Sequence, residues 1–357
     1  MWPATFPAAG LMLWGLWIAA PFASTSLAPD LSKSQLTQMF QDFMRQFNKT
    51  YVSQEEMRYR FKVFVQNLEV SRRLQAEELG TAQYGVTRFS DLTESEFAMM
   101  FAIPQPSQLG LPPTLRESGN SRPGKTSKSC DWRKTGVIPA VKYQGEECRS
   151  CWAFAAVSNI EALWNIHRHL PRNLSVQEVV DCTYKIGCLG GFVWDGLQTV
   201  FNSSGLSNSL LYPYTGRNQT CQKHRKRMVT QIDGYELLPR DENYIAGVVA
   251  SQGPVTALLN ENHLQHYQKG IIQSSSQSCN PKELDHAVLI VGYDEVKSRR
   301  GSWTGPYWII QNSWGEHWGE KGYFRLHRGT NTCGIGMFAA TAIVRDSGGK
   351  KPVVCRP

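Results

Sequence analysis

Gln144-Gly145-Glu146-Glu147-Cys148-Arg149-Ser150-Cys151-Trp152-Ala153-Phe154 reads as a loop that runs into a helix. After Cys151, the residues Ala153, Ala155, Ala156, Ile160, Ala162 and Leu163 recur with no Gly or Pro among them. That pattern predicts a buried apolar helix with Ser150 and Cys151 at its mouth. A thiol there meets unpaired backbone N–H groups and the positive end of the helix dipole. Both favour the thiolate, which is the nucleophilic form. A lone cysteine is more often a buried structural residue, so the decision rests on what stands further along the chain. His286 lies in Leu284-Asp285-His286-Ala287-Val288, and Asn312 in Ile310-Gln311-Asn312-Ser313-Trp314-Gly315. A cysteine nucleophile needs a base to take its proton, and the base needs a third group to fix its tautomer and ring orientation.

From residue 232 onward the pattern changes to short β-rich runs at 253–259, 287–293, 307–311 and 323–326, separated by turn residues. The part around Cys151 is mainly helical. Taken together, the residues around Cys151, His286 and Asn312 resemble the papain-like (C1) cysteine peptidases. His286 and Asn312 follow Cys151 by 135 and 161 residues. The second separation is long for that family, and residues 296–304, with Lys297, Arg299 and Arg300, account for it as a surface-loop insertion.

The resemblance covers nearly all of the chain after its leader. It implies an α+β, two-domain papain-like fold at residues 129–357. The helical left domain spans about 129–231 and a β-barrel-like right domain about 232–345, with the catalytic cleft between them and a C-terminal extension at 346–357. The implied function is a cysteine endopeptidase acting through a thioester. Cys151 is then the nucleophile, His286 the base and Asn312 the group that orients it. Gln144 and the Cys151 N–H stabilise the oxyanion, and Trp314 shields the His–Asn bond. Gly190 and Gly191 hold an extended substrate, Gly191 the closer of the two. Phe192, Val193, Leu258, Leu284 and Ala287 wall the S2 pocket, with Phe338 a further candidate. Apolar residues in strand-like runs serve equally well as core.

The chain departs from the family in two places. Gln144 and Cys151 are seven residues apart where the family has six, and Arg149 stands where the family has Gly. An Arg side chain there obstructs a substrate backbone unless the loop bulges and turns it to solvent. The rival reading is therefore a papain-fold binding protein of low or no activity. A metal site is the third reading. Cys148 and Cys151 have Cys-x-x-Cys spacing, but no second pair or His-x₃₋₅-His follows at zinc-site spacing. No metal and no organic cofactor is implied.

With 357 residues, 41% of them apolar, the chain has room for two or three domains around a globular core. The net charge of +8 is scattered apart from Lys223-His224-Arg225-Lys226-Arg227. No aromatic residues interleave with that cluster, so it reads as a solvated loop and not a nucleic-acid site. Residues 8–20 are apolar and are followed by Pro21, Ala23, Ser24 and Ser26. This predicts a signal peptide at 1–26, too short to span a bilayer, and no other stretch reads as transmembrane. The expected route is the secretory pathway, ending in the endoplasmic reticulum or a lysosome or granule. The sequons at Asn48, Asn173, Asn202 and Asn218 are then usable.

Residues 27–128 are expected to form an inhibitory propeptide. Met39, Phe40, Phe43 and Phe47 recur at helical spacing. Glu56, Arg60, Phe64, Asn67, Ser71 and Gln75 lie along one stripe of a second helix. The stripe is similar to the family's propeptide signature, with Ser71 and Gln75 departing at its end. Gly85, Thr87, Phe89 and Asp91 resemble a second propeptide motif. Residues 105–128 are rich in Pro, Gly and Ser and read as an exposed linker suited to proteolytic release. The partners expected are peptide or protein substrates and the chain's own propeptide, with the enzyme a monomer.

Nine cysteines leave eight to pair once Cys151 is set aside. The resemblance implies Cys148–Cys188, Cys182–Cys221 and Cys279–Cys333. Cys130 and Cys355 remain, to pair with each other, bond to a partner or stay free.

Overall fold

The computed structural model describes residues 31–105, 127–184, 187–222, 230–297, 303–346, 349 and 351–357. The expected signal peptide, most of the linker, the basic cluster at 223–227 and the centre of the 296–304 insertion lie outside these residues.

The N-terminal segment forms α1 (Lys33–Gln46), α2 (Gln54–Glu77), the short strand β1 (Gln83–Tyr84) and α3 (Glu94–Phe101). Reciprocal Ser32–Gln35 and Thr93–Glu96 bonds cap α1 and α3. Phe40, Phe43 and Phe64 pack where α1 crosses α2. The polar members of the α2 stripe hold the segment that follows. Arg60 donates to both oxygens of Glu96 at 2.9 Å. Asn67 Nδ2 donates to the carbonyls of Ser90 and Leu92, and Gln75 bonds Ala82 and Tyr84. These are buried or half-buried groups, so each satisfied bond avoids a desolvation cost of about 1–3 kcal/mol.

The remainder carries β2 (Cys130–Asp131), α4 (Cys151–Arg168), α5 (Val176–Cys182), α6 (Val193–Asn202), β3 (Gly234–Leu238), α7 (Glu242–Ser251) and β4 (Val255–Leu259). It continues with β5 (Tyr267–Lys269), β6 (Ile271–Ile272), β7 (His286–Val296), β8 (Gly305–Gln311), β9 (Tyr323–His327) and β10 (Ala339–Ile343). The sheet runs β3-β10-β4-β7-β8-β9-β6, with β2 laid against β7. Among the described residues it is open, which corrects the barrel-like expectation. The two end strands do not meet, and the backbone beyond β6 is taken by the N-terminal segment: Thr81 and Ala82 N–H groups donate to Ile271, and Leu79 N–H to Gln273.

Helix α4 is buried on almost every face, as its unbroken apolar run requires. It packs against α5 and α6 on one side and β4, β7 and β10 on the other. Two of its buried polar residues are well satisfied: Asn159 bonds Pro254, Thr341 and Ala342, and Glu161 pairs with Lys142 at 2.7 Å. The result is a rigid post whose first residue stands at the foot of β7.

Four disulfides staple the fold: Cys130–Cys355, Cys148–Cys188, Cys182–Cys221 and Cys279–Cys333. The first closes the alternatives left open for Cys130 and Cys355. The C-terminal tail folds back on β2 and α4, where Asp131 N–H donates to the Arg356 carbonyl and Val353 N–H to the Ile166 carbonyl.

Candidate active site

Cys151 is the only free cysteine, fully buried at the first position of α4. Cys148 is consumed in a disulfide, so the Cys-x-x-Cys pair offers no two-thiolate ligand set. Ser150 begins the helix without a side-chain cap, its hydroxyl being shared with Tyr214 at 2.7 Å. The Trp152 N–H and the Ala287 N–H are left to face the Cys151 sulfur. His286 opens β7, and Asn312 follows β8, the neighbouring strand. His286 Nε2 lies 2.8 Å from Asn312 Oδ1, which also accepts the Ser313 N–H at 2.8 Å. An oxygen already serving as acceptor assigns the proton of that contact to Nε2. The other ring nitrogen, Nδ1, has no hydrogen-bond partner. Trp314 covers the pair, its ring centre 4.8 Å from that of His286.

Gln144 is fully buried. Its Oε1 accepts the Ser313 hydroxyl at 2.7 Å, and its Nε2 donates to the Cys148 carbonyl at 3.3 Å. The longer loop is expelled outward. Gly145 takes φ +79°, Glu146 reaches Arg88 and Tyr143, and Glu147 faces Arg217. Arg149 does not simply face solvent. Its Nε donates to the Met99 carbonyl of the N-terminal segment at 2.8 Å.

That segment closes over the site. Phe89, Phe97 and Phe101 ring Trp314 with centroids at 5.0–5.4 Å. Ile103 N–H donates to the Asp285 carbonyl at 2.7 Å. Ile103 and Pro104 lie so close to Gly190 that an added Cβ would stand 2.8 Å from Pro104 Cδ. Gly190 is thus in contact with the covering chain. Phe192 stacks on Trp194, which reaches Phe338. Leu258 and Ala287 are cross-strand partners in β4 and β7, and Leu284 and Val193 are buried nearby in sequence from them or from Phe192. Asn48, Asn173, Asn202 and Asn218 are exposed.

Cover changes the electrostatics. Burial pushes the Cys151 thiol well above its ordinary value, against the Ala287 and Trp152 N–H groups. Burial pushes His286 down to about 4, against the Asn312 contact. A helix terminus contributes only a partial charge, and removing water from a full charge outweighs it. In the covered protein the pair is therefore thiol and neutral imidazole. One close group escaped the sequence reading. Glu261, just beyond β4, places Oε2 3.4 Å from His286 Nδ1. A single acid inside Asn260-Glu261-Asn262 reads as a solvated turn, and only tertiary packing turns it inward.

The family profile "Papain family cysteine protease" matches residues 126–343, and "Cathepsin propeptide inhibitor domain (I29)" matches residues 40–97. The chain belongs to the papain family of cysteine proteases and carries a cathepsin-type propeptide. It is 41% identical over 338 residues to cathepsin W of Mus musculus, covering 90% of this chain and 91% of that protein. It is 43% identical over 340 residues to cathepsin W of Felis catus, covering 90% of each. The fold is that of the Amb a 11 cysteine protease, a major ragweed pollen allergen, in its proform. The TM-score is 0.78 at 30% identity, with 90% of this chain and 89% of that one covered. No helix among the described residues is long and apolar enough to cross a membrane.

Proposed function

We propose that this papain-like peptidase hydrolyses peptide bonds as an endopeptidase through Cys151, His286 and Asn312. His286 Nδ1 takes the thiol proton, and the sulfur attacks the substrate carbonyl carbon. The oxyanion is held by the Cys151 N–H and the second Nε2 proton of Gln144. The protonated imidazole gives its proton to the leaving amine, and a thioester remains. Water, deprotonated by the same imidazole, releases the acid and regenerates the thiol. Asn312 keeps the imidazole in the tautomer that leaves Nδ1 free. The observation that carries the reading is the His286 ring itself: Nε2 is engaged by Asn312 at 2.8 Å while Nδ1 has no hydrogen bond. The outward course of Glu146 and Glu147 supports activity over a binding role, because the extra residue leaves Gln144 and Cys151 undisturbed.

Residues 27–128 are removed to open the cleft, in which Gly190 and Gly191 lie along the substrate backbone and Phe192, Val193, Leu258, Leu284 and Ala287 form an apolar S2 wall. The enzyme acts as a monomer. It enters the secretory pathway through residues 1–26 and resides in the endoplasmic reticulum or a lysosome or granule. Four disulfides and four exposed sequons suit an oxidising compartment. Titration of the processed protein with a thiol-reactive peptide epoxide tests the site. One equivalent bound at Cys151, with loss of turnover in step, is expected. Folded protein that resists labelling refutes the mechanism.

A further inference from the structure

Glu261 is 2% exposed, and neither of its carboxyl oxygens has a hydrogen-bond partner. Oε2 stands 3.4 Å from His286 Nδ1, itself without a partner. The register that pairs Leu259 with His286 brings Glu261 to this place, and its backbone N–H is tied to Asp285 Oδ1 at 2.9 Å. Its position is thus set by the sheet. Nε2 carries a proton for Asn312, so Nδ1 is either a bare lone pair or an N–H. A bare lone pair facing a bare carboxylate in a water-free site is repulsive. One proton must therefore lie between Glu261 and His286.

We propose that Glu261 is a positioning residue that shares this proton with His286 Nδ1 and so competes with Cys151 for the imidazole. The proposal rests on the reading that Cys151 and His286 form the reacting pair. Three other charged or titratable groups act on the site: Asp285 from the residue before β7, Arg149 from the loop before α4, and Cys151 at the start of α4. Burial and the Asp285 charge hold the Glu261 carboxyl well above its ordinary range, with Arg149 opposing. In the covered protein the proton then rests on Glu261, and it engages the lone pair that Cys151 needs. The propeptide hides the thiol from substrate, and Glu261 occupies its base.

Once the propeptide leaves and water returns, Glu261 ionises. Its negative charge then favours the imidazolium and disfavours the thiolate, so both limbs of the pH profile stand higher than the Cys–His pair alone would set them. The test compares processed wild type with Glu261→Gln, which keeps the side-chain shape. Iodoacetamide alkylation of Cys151 against pH reads the acidic limb, and kcat/KM against pH reads both. Loss of a charge this close moves both limbs down by about one unit. Below the acidic limb, alkylation then becomes about tenfold faster. Glu261→Asp retains the charge one methylene further back. It gives a smaller shift in the same direction and carries the test alone if Glu261→Gln does not fold. Variant limbs that coincide with wild type overturn the proposal. A wild-type acidic limb at the value of an ordinary free thiol instead overturns the Cys–His reading beneath it.

Discussion

Phe101 is where the propeptide's grip is concentrated. It is fully buried, 5.0 Å from Trp314 and Phe97 and 5.2 Å from Phe89, centroid to centroid. Phe101→Ala removes a ring that touches both the covering segment and the Trp that shields His286. Truncating a buried Phe costs about 3–5 kcal/mol. Taking about 3 kcal/mol as the part that opposes docking, the open fraction of the proenzyme rises roughly a hundredfold. Alkylation of Cys151 in the full chain measures it. Where reclosure outpaces alkylation, the rate is the open fraction times the rate of the processed enzyme. Phe101→Leu, which keeps most of the volume, gives a smaller rise. If Phe101→Ala reacts at the wild-type rate while the processed enzymes behave alike, the aromatic cluster does not hold the cover, and the argument fails.

Arg149→Ala removes the bond to the Met99 carbonyl. For a half-exposed charged donor the loss is about 1 kcal/mol, so the same assay should show roughly fivefold faster labelling of the proenzyme. His263 and His266 lie beneath the propeptide, against Tyr84 and Ser71, and burial holds each near 4. The covered state therefore binds fewer protons than the open state between about pH 6.5 and 4. Cover is then fully stable above that window and weakens as pH falls through it. Proenzyme labelling, normalised to processed enzyme, should rise on acidification, and the double variant His263→Gln/His266→Gln should flatten the rise. Gln144→Ala in the processed enzyme should lower kcat by about 10²–10³ with the Cys151 alkylation rate unchanged, as loss of an oxyanion donor requires.

The residues that meet at the candidate site sit in short local motifs, which is why they could be singled out before any fold was known. A helix mouth after a loop, a strand-like run opening just after His286 and another ending just before Asn312 are each readable from a dozen residues. The alternation that marks the strands says nothing about which edges meet, so the sheet's openness was not legible. It depends on residues 79–82 occupying the backbone beyond β6. The partner of Cys355 was open for the same reason, since the path of a tail is a tertiary property. Arg149 was read as an obstruction or a solvated side chain. The third course, a bond to the propeptide backbone, requires knowing that α3 ends opposite the loop. Glu261 carried no periodic signal at all. Its position beside His286 follows from the β4–β7 register, and it is the residue in the site most at odds with its local sequence.

Turnover by the processed enzyme on a peptide library with apolar residues at P2, beside a Cys151→Ala control, tests the central claim most directly. The account predicts cleavage that the substitution abolishes. Cleavage that survives in Cys151→Ala, or a folded enzyme with a reactive Cys151 that cleaves nothing, would contradict it.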